Sequence, residues 1–164
     1  MAATLNITHD DIYADIRAYL LGLFPAWEVV QGYSNNVPLP NAPFVLMNII
    51  NESDVSTNVH KYDKAAQIAT VTRTVETMMQ LDFYGEQSGE TARIFVNLWR
   101  DYHATERLTK CQPLFCEQPK YLPWSNEYGE FEQRWLVTAY LSYNPAVTHA
   151  QDFVTHAEIV TELI

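Results

Sequence analysis

The sequence predicts an α+β fold in which two main helices pack on one face of a mostly antiparallel sheet whose long strands project beyond it. Two segments place apolar residues at helical spacing, and two long segments alternate apolar and polar residues with a period of two. Their order along the chain is helix, strands, helix, strands. Because no linker, repeat or low-complexity tract divides the chain, we expect one domain over residues 1–164.

The first helix is predicted over residues 10–24. Thr8 followed by Asp11 forms a start typical of a capping box, with an acid where the helix dipole favours one. Pro25 ends the helix, because the residue before a proline avoids the helical region. The apolar stripe, which we expect to pack on a sheet, consists of Ile12, Ile16, Tyr19, Leu20 and Leu23.

Strands are predicted next, over residues 28–33 and 44–50. The second of them is nearly continuously apolar, so we expect it to be buried on both faces. The loop between them, residues 34–43, is rich in proline and turn-forming residues. Residues 51–64 are polar and are interpreted as a flexible connection.

A long strand is predicted over residues 71–83, where odd positions are mostly apolar and even positions mostly polar. This length exceeds the usual range of about 3 to 10 residues, so one end should project beyond the core. The threonine-rich residues 70–77 are the expected projecting part, because threonine suits a pleated surface that faces water or a neighbouring protein.

The second helix is predicted over residues 90–103, after a turn at Gly85 and with Ser88 as its cap. Its apolar face is predicted to comprise Ala92, Phe95, Val96, Trp99, Tyr102 and His103.

The remaining chain should form a short extended segment (residues 110–117), a loop (residues 119–129) and a second long strand (residues 131–143). Residues 153–162 alternate weakly and could form an edge strand.

The charge restricts the partners. Ten basic and 20 acidic residues give a formal net charge of −10, which argues against wrapping nucleic acid and against docking on anionic lipid. It remains compatible with DNA passing by, because an acidic wall repels DNA and lets it slide. Residues 1–8 show no signal peptide, and no apolar stretch approaches the roughly 20 residues that span a bilayer. We therefore expect a protein made in a cytoplasm that stays there or leaves inside a particle.

Neither cysteines nor histidines form a pattern that supports chemistry. Cys111 and Cys116 are five positions apart in an extended segment, so they should point to opposite faces as free, buried thiols. The five histidines include no pair at the i, i+4 spacing of a metalloprotease helix, and His103 is expected to favour the dipole at the end of the second helix. Phosphate-binding glycine motifs and nucleophile elbows are absent from the sequence. We therefore predict no catalytic, cofactor-binding or metal-binding residues.

Three segments together suggest a family. Residues 31–40 read QGYSNNVPLP and precede an apolar strand, residues 79–85 read MQLDFYG and lead into a helix, and residues 118–127 read QPKYLPWSNE. The last segment continues into FEQRW at residues 131–135 and LSYN at residues 141–144. In this order and spacing, over residues 31–153, they resemble the tail-terminator, or neck-terminator, proteins of long-tailed phages.

The resemblance implies a structural virion protein that assembles into a homohexameric ring at the head-proximal end of the tail tube. Such a ring stops polymerisation of the tail tube protein and docks the head-tail connector or stopper protein. The implied partners extend to a sheath protein. Genomic DNA passes through the ring without specific binding. Other head-tail joining, tail-tube or baseplate proteins are the first alternative. A small cytoplasmic enzyme is the second, and it would require a polar pocket with perturbed acids or histidines.

Two segments are predicted to contact neighbouring subunits, because a proline-rich loop and a strand too long for one core both offer exposed surface. The candidate interface residues are Tyr33, Asn35, Asn36, Pro38, Pro40, Thr70, Thr72 and Thr74. Carboxylates on the polar face of the long strand are candidates for facing the channel, because fixed negative charge there would keep DNA from sticking. These candidates are Glu76 and Asp82.

Overall fold

The computed structural model describes residues 2–32, 38–125, 129 and 131–154. In these residues it contains three helices and twelve strands. In chain order they are β1 (Thr4–Leu5), α1 (His9–Leu23), β2 (Glu28–Gln31), β3 (Phe44–Asp54), β4 (Val59–Asp63), β5 (Ile68–Thr72), β6 (Val75–Tyr84), α2 (Ser88–Trp99), α3 (Tyr102–Arg107), β7 (Gln112–Cys116), β8 (Lys120–Tyr121), β9 (Trp124–Ser125), β10 (Phe131–Glu132), β11 (Arg134–Tyr143) and β12 (Ala146–Ala150).

The main sheet confirms the predicted α+β class. Its strand order is β2-β3-β6-β11-β7, with β8 also paired to β11, and its pairs are antiparallel except for parallel β2 and β3. Helices α1 and α2 bury their apolar faces against one face of this sheet, because the inward positions of β3, β6 and β11 are apolar. Fully buried side chains at the centre of this core include Ile12, Ile16, Met47, Leu81, Phe83, Phe95, Trp99 and Leu141.

The long strand predicted over residues 71–83 is in fact two strands, β5 and β6, separated at Arg73 and Thr74. The other two central strands are interrupted at the same level. Strand β3 gives way to β4, and β11 gives way to β12 after Asn144 and Pro145. Beyond this joint, β4, β5 and β12 pair in the same lateral order as β3, β6 and β11, and β1 adds at the edge beside β12. We call β1, β4, β5 and β12 the arm sheet. The period-two pattern runs through the joint, which is why the sequence does not reveal the break.

The prediction of a flexible connection over residues 51–64 was wrong. Strand β3 extends to Asp54, and β4 occupies Val59–Asp63. Every residue of β4 is exposed, so no alternation of buried and exposed side chains marks it as a strand. Its backbone pairing with β5 defines it instead.

Strand β3 is less buried than predicted. A bulge between Ile49 and Asn51 leaves Ile50 48% exposed, and the backbone N–H of Ile49 donates to the Tyr13 hydroxyl at 2.8 Å. After the bulge the strand carries polar residues, because there it passes beyond the helices and the core.

Helix α1 confirms the predicted capping box. The Asp11 N–H donates to Thr8 Oγ1 at 3.2 Å, and the Thr8 N–H donates to Asp11 Oδ2 at 2.8 Å. The Thr8 N–H and the Thr8 hydroxyl, which both donate to Asp11 Oδ2 at 2.8 Å, hold the pKa of Asp11 below its usual value. The predicted stripe is buried at Ile12, Ile16, Tyr19 and Leu20.

The second predicted helix is two helices. Helix α2 ends at Trp99, and α3 restarts at Tyr102, where the Asp101 carboxylate accepts from the His103 N–H. His103 therefore lies in the first turn of α3 and not at the C-terminal end of a helix, so its predicted dipole role was wrong. Tyr102 is 69% exposed and leaves the apolar face. Ser88 is not the cap either: Gln87 is the N-cap, and the Ser88 side chain is buried.

The second half of the chain follows the predicted order with smaller differences. Strand β7 falls within the predicted extended segment, whereas the predicted loop over residues 119–129 contains the short strands β8 and β9. The strand predicted over residues 131–143 is divided at Gln133, whose carbonyl accepts from the Gly85 N–H at 3.1 Å. Residues 153 and 154 are not in a strand, and residues 155–162 of the predicted edge strand lie outside the described residues.

Candidate subunit interface

The two predicted contact segments lead to opposite ends of the main sheet. At one end, Phe44, Tyr84 and Arg134 stand side by side on β3, β6 and β11. At the other end, Asp54, Val75 and Tyr143 stand side by side, and the arm sheet continues from there. The proline-rich loop enters β3 at the first end, which we call the distal end, and the threonine-rich segment belongs to the arm.

The arm sheet has almost no core of its own. Ala69 is the one fully buried residue in its four described strands. Val59 is 65% exposed and Tyr62 is 57% exposed on the edge strand β4. A sheet of a few strands usually needs a hydrophobic face packed on another element to be stable. The arm sheet thus presents surface that is suited to a protein partner.

The two faces of the arm sheet differ in chemistry. One face carries Tyr62, Ala69 and Val71 from the central and edge strands, and Phe153 of the same chain packs on Tyr62 with ring centroids 6.1 Å apart. The opposite face, which we call the threonine face, carries no aromatic ring contact among the described side chains. Its members are Thr4, Val59, Lys61, Asp63, Ile68, Thr70, Thr72, Ala146, Thr148 and Ala150.

The predicted interface residues are distributed over three environments. Thr70 and Thr72 lie partly exposed on the threonine face, where Thr70 Oγ1 and Thr148 Oγ1 are 3.1 Å apart. Thr74 belongs to the joint, and its hydroxyl donates to Asn144 Oδ1 at 2.7 Å. In the loop, Pro38 is exposed and Pro40 is partly buried. The remaining three, Tyr33, Asn35 and Asn36, lie outside the described residues.

A cleft of about 340 Å³ opens at the distal end of the main sheet. Phe131 lies on its wall and is 82% exposed, and the exposed Glu86 lines the same cleft. Gly85, at a φ of +110°, forms the turn that admits Ala42 and Pro43 on the other side. The remaining lining residues are Glu132 and Gln133. A cleft that exposes an aromatic ring and the Glu86 carboxylate is suited to a partner that combines apolar and basic groups.

The two channel candidates lie in different environments. Asp82 is 1% exposed and is held by Arg134, whose Nε and Nη2 lie 3.0 and 2.9 Å from its Oδ1, and by Gln80 Nε2 at 2.7 Å. Its charge is compensated inside the subunit, so Asp82 cannot act as a free carboxylate on a channel wall. Glu76 is partly exposed on the face of β6 away from the helices. Glu76 therefore remains the candidate for a carboxylate that faces the channel.

The two cysteines and His103 are in structural positions. Cys111 and Cys116 are buried and free, and burial together with the adjacent Asp15 carboxylate raises the pKa of Cys111 to about 12. The His103 Nδ1 atom lies 3.3 Å from the Tyr19 hydroxyl at the helix interface. Among the described residues, no group of three or more His, Cys, Asp or Glu side chains could hold a metal ion. Within the same ranges, no helix is long and apolar enough to cross a membrane.

Strand β4 was not predicted from the sequence. Its residues were assigned to a connection, yet they form the most exposed strand of the arm sheet and place Lys61 next to Thr70. The one signal in the sequence is the short run of strand-forming and basic residues over residues 59–62, which follows a segment rich in Ser, Thr, Asn and Asp.

An α+β subunit with an uncovered arm at one end and a lined cleft at the other belongs to the class of proteins that assemble with other proteins. The family model described as phage neck terminator protein matches residues 10–163, which is nearly the whole chain. The chain therefore belongs to the phage neck terminator family, which confirms the resemblance drawn from the sequence. Its role is structural, in the tail neck of a phage particle. No curated protein matches the chain.

Proposed function

We propose that this protein is a tail terminator that forms a closed ring, of six copies by family resemblance, at the head-proximal end of the phage tail tube. In this position the ring stops tube polymerisation and offers its other side to the head-tail connector or stopper protein. It contacts the tail tube protein below and, in a contractile tail, a sheath protein outside. Genomic DNA passes through the ring without specific binding.

The observation that carries this proposal is the arm sheet. Three central strands continue beyond the core into a sheet that buries one residue completely, so its surfaces need a neighbour to cover them. A ring requires head-to-tail contacts between two different surfaces that close by rotation. The arm and the distal cleft are two such surfaces, and they lie at opposite ends of the main sheet.

The acidic composition supports the passage of DNA. Counterion release on neutralising phosphates is the main source of sequence-independent DNA affinity, and a chain with twice as many acids as bases supplies little of it. A channel that carries Glu76 or other uncompensated carboxylates would repel the duplex and leave it free to move.

The proposal is tested by assembling the purified protein alone and with purified tail tubes. The expected product is a ring of about 113 kDa, six times the subunit mass of 18.9 kDa, that caps one end of each tube in electron micrographs. Light scattering measures the mass of rings that form without tubes. A tail-tube subunit would instead stack into filaments. Tubes that bear no ring of this protein at the head end would overturn the proposal.

A further inference from the structure

The charge of the β4–β5 hairpin differs in sign from that of the rest of the chain. Residues 59–72 contain two lysines, Lys61 and Lys64, and one acid, Asp63, so their net charge is +1. Because the whole chain carries −10, the net charge of all the other residues is −11. The Asp63 carboxylate is occupied by the turn, where it accepts from the N–H groups of Ala65 and Ala66 at 3.0 Å each. Among the described residues, neither lysine has an ion-pair partner.

Lys61 lies on the threonine face, in the row that contains Thr70 and Thr148. The next row on this face places Val59, 65% exposed, beside Thr72. The opposite face carries the exposed Leu5, Tyr62 and Val147 but no lysine on its strands, so the threonine face is the one that can offer a cation to an acidic partner. It offers a cation, an apolar side chain and short hydroxyls in one patch.

The distal cleft has the complementary composition. Glu86 lines the cleft and is exposed, and Phe131, which lines the same cleft, is 82% exposed. The exposed carboxylates of Glu28 and Glu90 lie at the same end of the subunit, at the starts of β2 and α2. The exposed Glu86 carboxylate and the exposed Phe131 ring match the Lys61 amine and the Val59 side chain of the threonine face.

We propose that the arm sheet of one copy docks through its threonine face on the distal cleft of the next copy, with Lys61 facing Glu86 and Val59 against Phe131. This inference rests on the proposed ring and names the contact that closes it. The two surfaces lie at opposite ends of the subunit and differ from each other, so each copy donates one and accepts the other. Complementary charge sets the register and speeds the encounter, and the apolar contact excludes water.

The contact is tested by zero-length cross-linking of assembled protein. A carbodiimide condenses the Lys61 amine with the Glu86 carboxylate into an amide and takes up the water that is lost. Two variants are mixed: Lys61→Arg with Lys64→Arg, which has no amine on the hairpin, and Glu86→Gln, which lacks the Glu86 carboxylate. A Lys61–Glu86 link in this mixture can form only between copies. We expect this linked peptide by mass spectrometry, and its loss when either variant is assembled alone.

Charge reversal provides an independent readout. Lys61→Glu should abolish ring formation, Glu86→Lys should do the same, and the double variant should restore it. The matched control is Glu106→Lys, which makes the same charge change at an exposed position of α3 and should leave assembly intact. Circular dichroism verifies that each variant folds. Rings that persist in Lys61→Glu, or a double variant that fails to restore them, would overturn the docking contact but leave the ring in place. Absence of any ring of the unaltered protein would overturn the proposed function itself.

Discussion

Tyr143, the last residue of β11, donates a hydrogen bond of 2.9 Å to the Glu52 carboxylate on β3, across the intervening strand β6. The same oxygen accepts from Thr77 Oγ1 at 3.1 Å and lies 3.2 Å from His9 Nε2. Thr77 is fully buried and Tyr143 is 6% exposed. A polar cluster thus closes the core where the main sheet gives way to the arm sheet, and it ties α1 to three strands.

Removing the Tyr143 hydroxyl should destabilise the subunit. A hydrogen bond to a charged group contributes about 1.5–3 kcal/mol, and we expect a loss of about 1–2 kcal/mol for Tyr143→Phe because Glu52 keeps Thr77 and some water. Urea unfolding measures the change in the free energy of unfolding. The control is Tyr102→Phe, whose ring is 69% exposed. Equal stability of the two variants would contradict the role of the cluster.

Asp15 on α1 secures the segment that follows α3. Its carboxylate accepts from the N–H groups of Thr109 and Lys110 at 2.8 and 2.7 Å and from Thr109 Oγ1 at 3.0 Å. Asp15→Ala leaves these donors without their acceptor, so we expect a loss of about 1–3 kcal/mol in urea unfolding. Glu106→Ala, at an exposed site, should change stability by less than about 0.5 kcal/mol. An unfolding midpoint for Asp15→Ala equal to that of the unaltered protein would contradict the stabilising role of these hydrogen bonds.

Arg73 holds the joint between the main sheet and the arm sheet. Its guanidinium donates to Asn58 Oδ1 at 2.7 Å and forms an ion pair with Asp54. Exposed pairs contribute about 0–1 kcal/mol, so Arg73→Ala should speed amide hydrogen exchange in β5 and β12 by up to about fivefold. Exchange in the centre of β6 should not change. Lys120→Ala, which breaks an exposed pair with Glu117 away from the arm, serves as the control. Uniform acceleration of amide hydrogen exchange across both sheets would contradict a local role of Arg73 at the joint.

Stability should fall at alkaline pH. Burial, with a contribution from Asp15, raises the pKa of Cys111 from 9.0 to about 12, and burial raises that of Tyr19 from 10.0 to about 12. In the unfolded chain these groups ionise at their ordinary values. The stability that they contribute is therefore complete below about pH 9 and is lost as the pH rises towards 12. Urea unfolding between pH 8 and pH 11 should show this decline, with a shallower slope in Cys111→Ala. An unchanged slope in that variant would contradict the assignment.

DNA should not adhere to the assembled protein. With 20 acids against 10 bases, we expect no tight, salt-sensitive binding of duplex DNA in an anisotropy titration at physiological salt. Glu76→Lys should increase the affinity if Glu76 faces the channel, whereas the same change at Glu106 should have less effect. Tight binding by the unaltered protein, or a ring whose channel is lined mainly by Lys and Arg, would contradict the acidic wall.

Local pattern was sufficient for most of the helices and for the long strands. The Thr8–Asp11 box and the apolar stripe of α1 depend on residues a few positions apart, so sequence spacing alone predicts them. The same holds for the alternation that marks β6 and β11 as half-buried strands. The family resemblance rested likewise on short segments in a fixed order, and the family match confirms it.

Features that depend on contacts between distant residues were decided by the tertiary structure. The break at Arg73 and Thr74 falls where three neighbouring strands are interrupted at one level. The residue pattern of a single strand cannot reveal such a shared interruption. Strand β4 exists because β5 pairs with its backbone, and backbone pairing leaves no mark on exposed side chains. Asp82 looked like a free acid on a polar face until Arg134, 52 positions away, was found to neutralise it. The sequence by itself determined the class of fold, the family and the acidic character. Only the folded chain decided which polar residues remain free to meet a partner, because that depends on which distant groups already satisfy them.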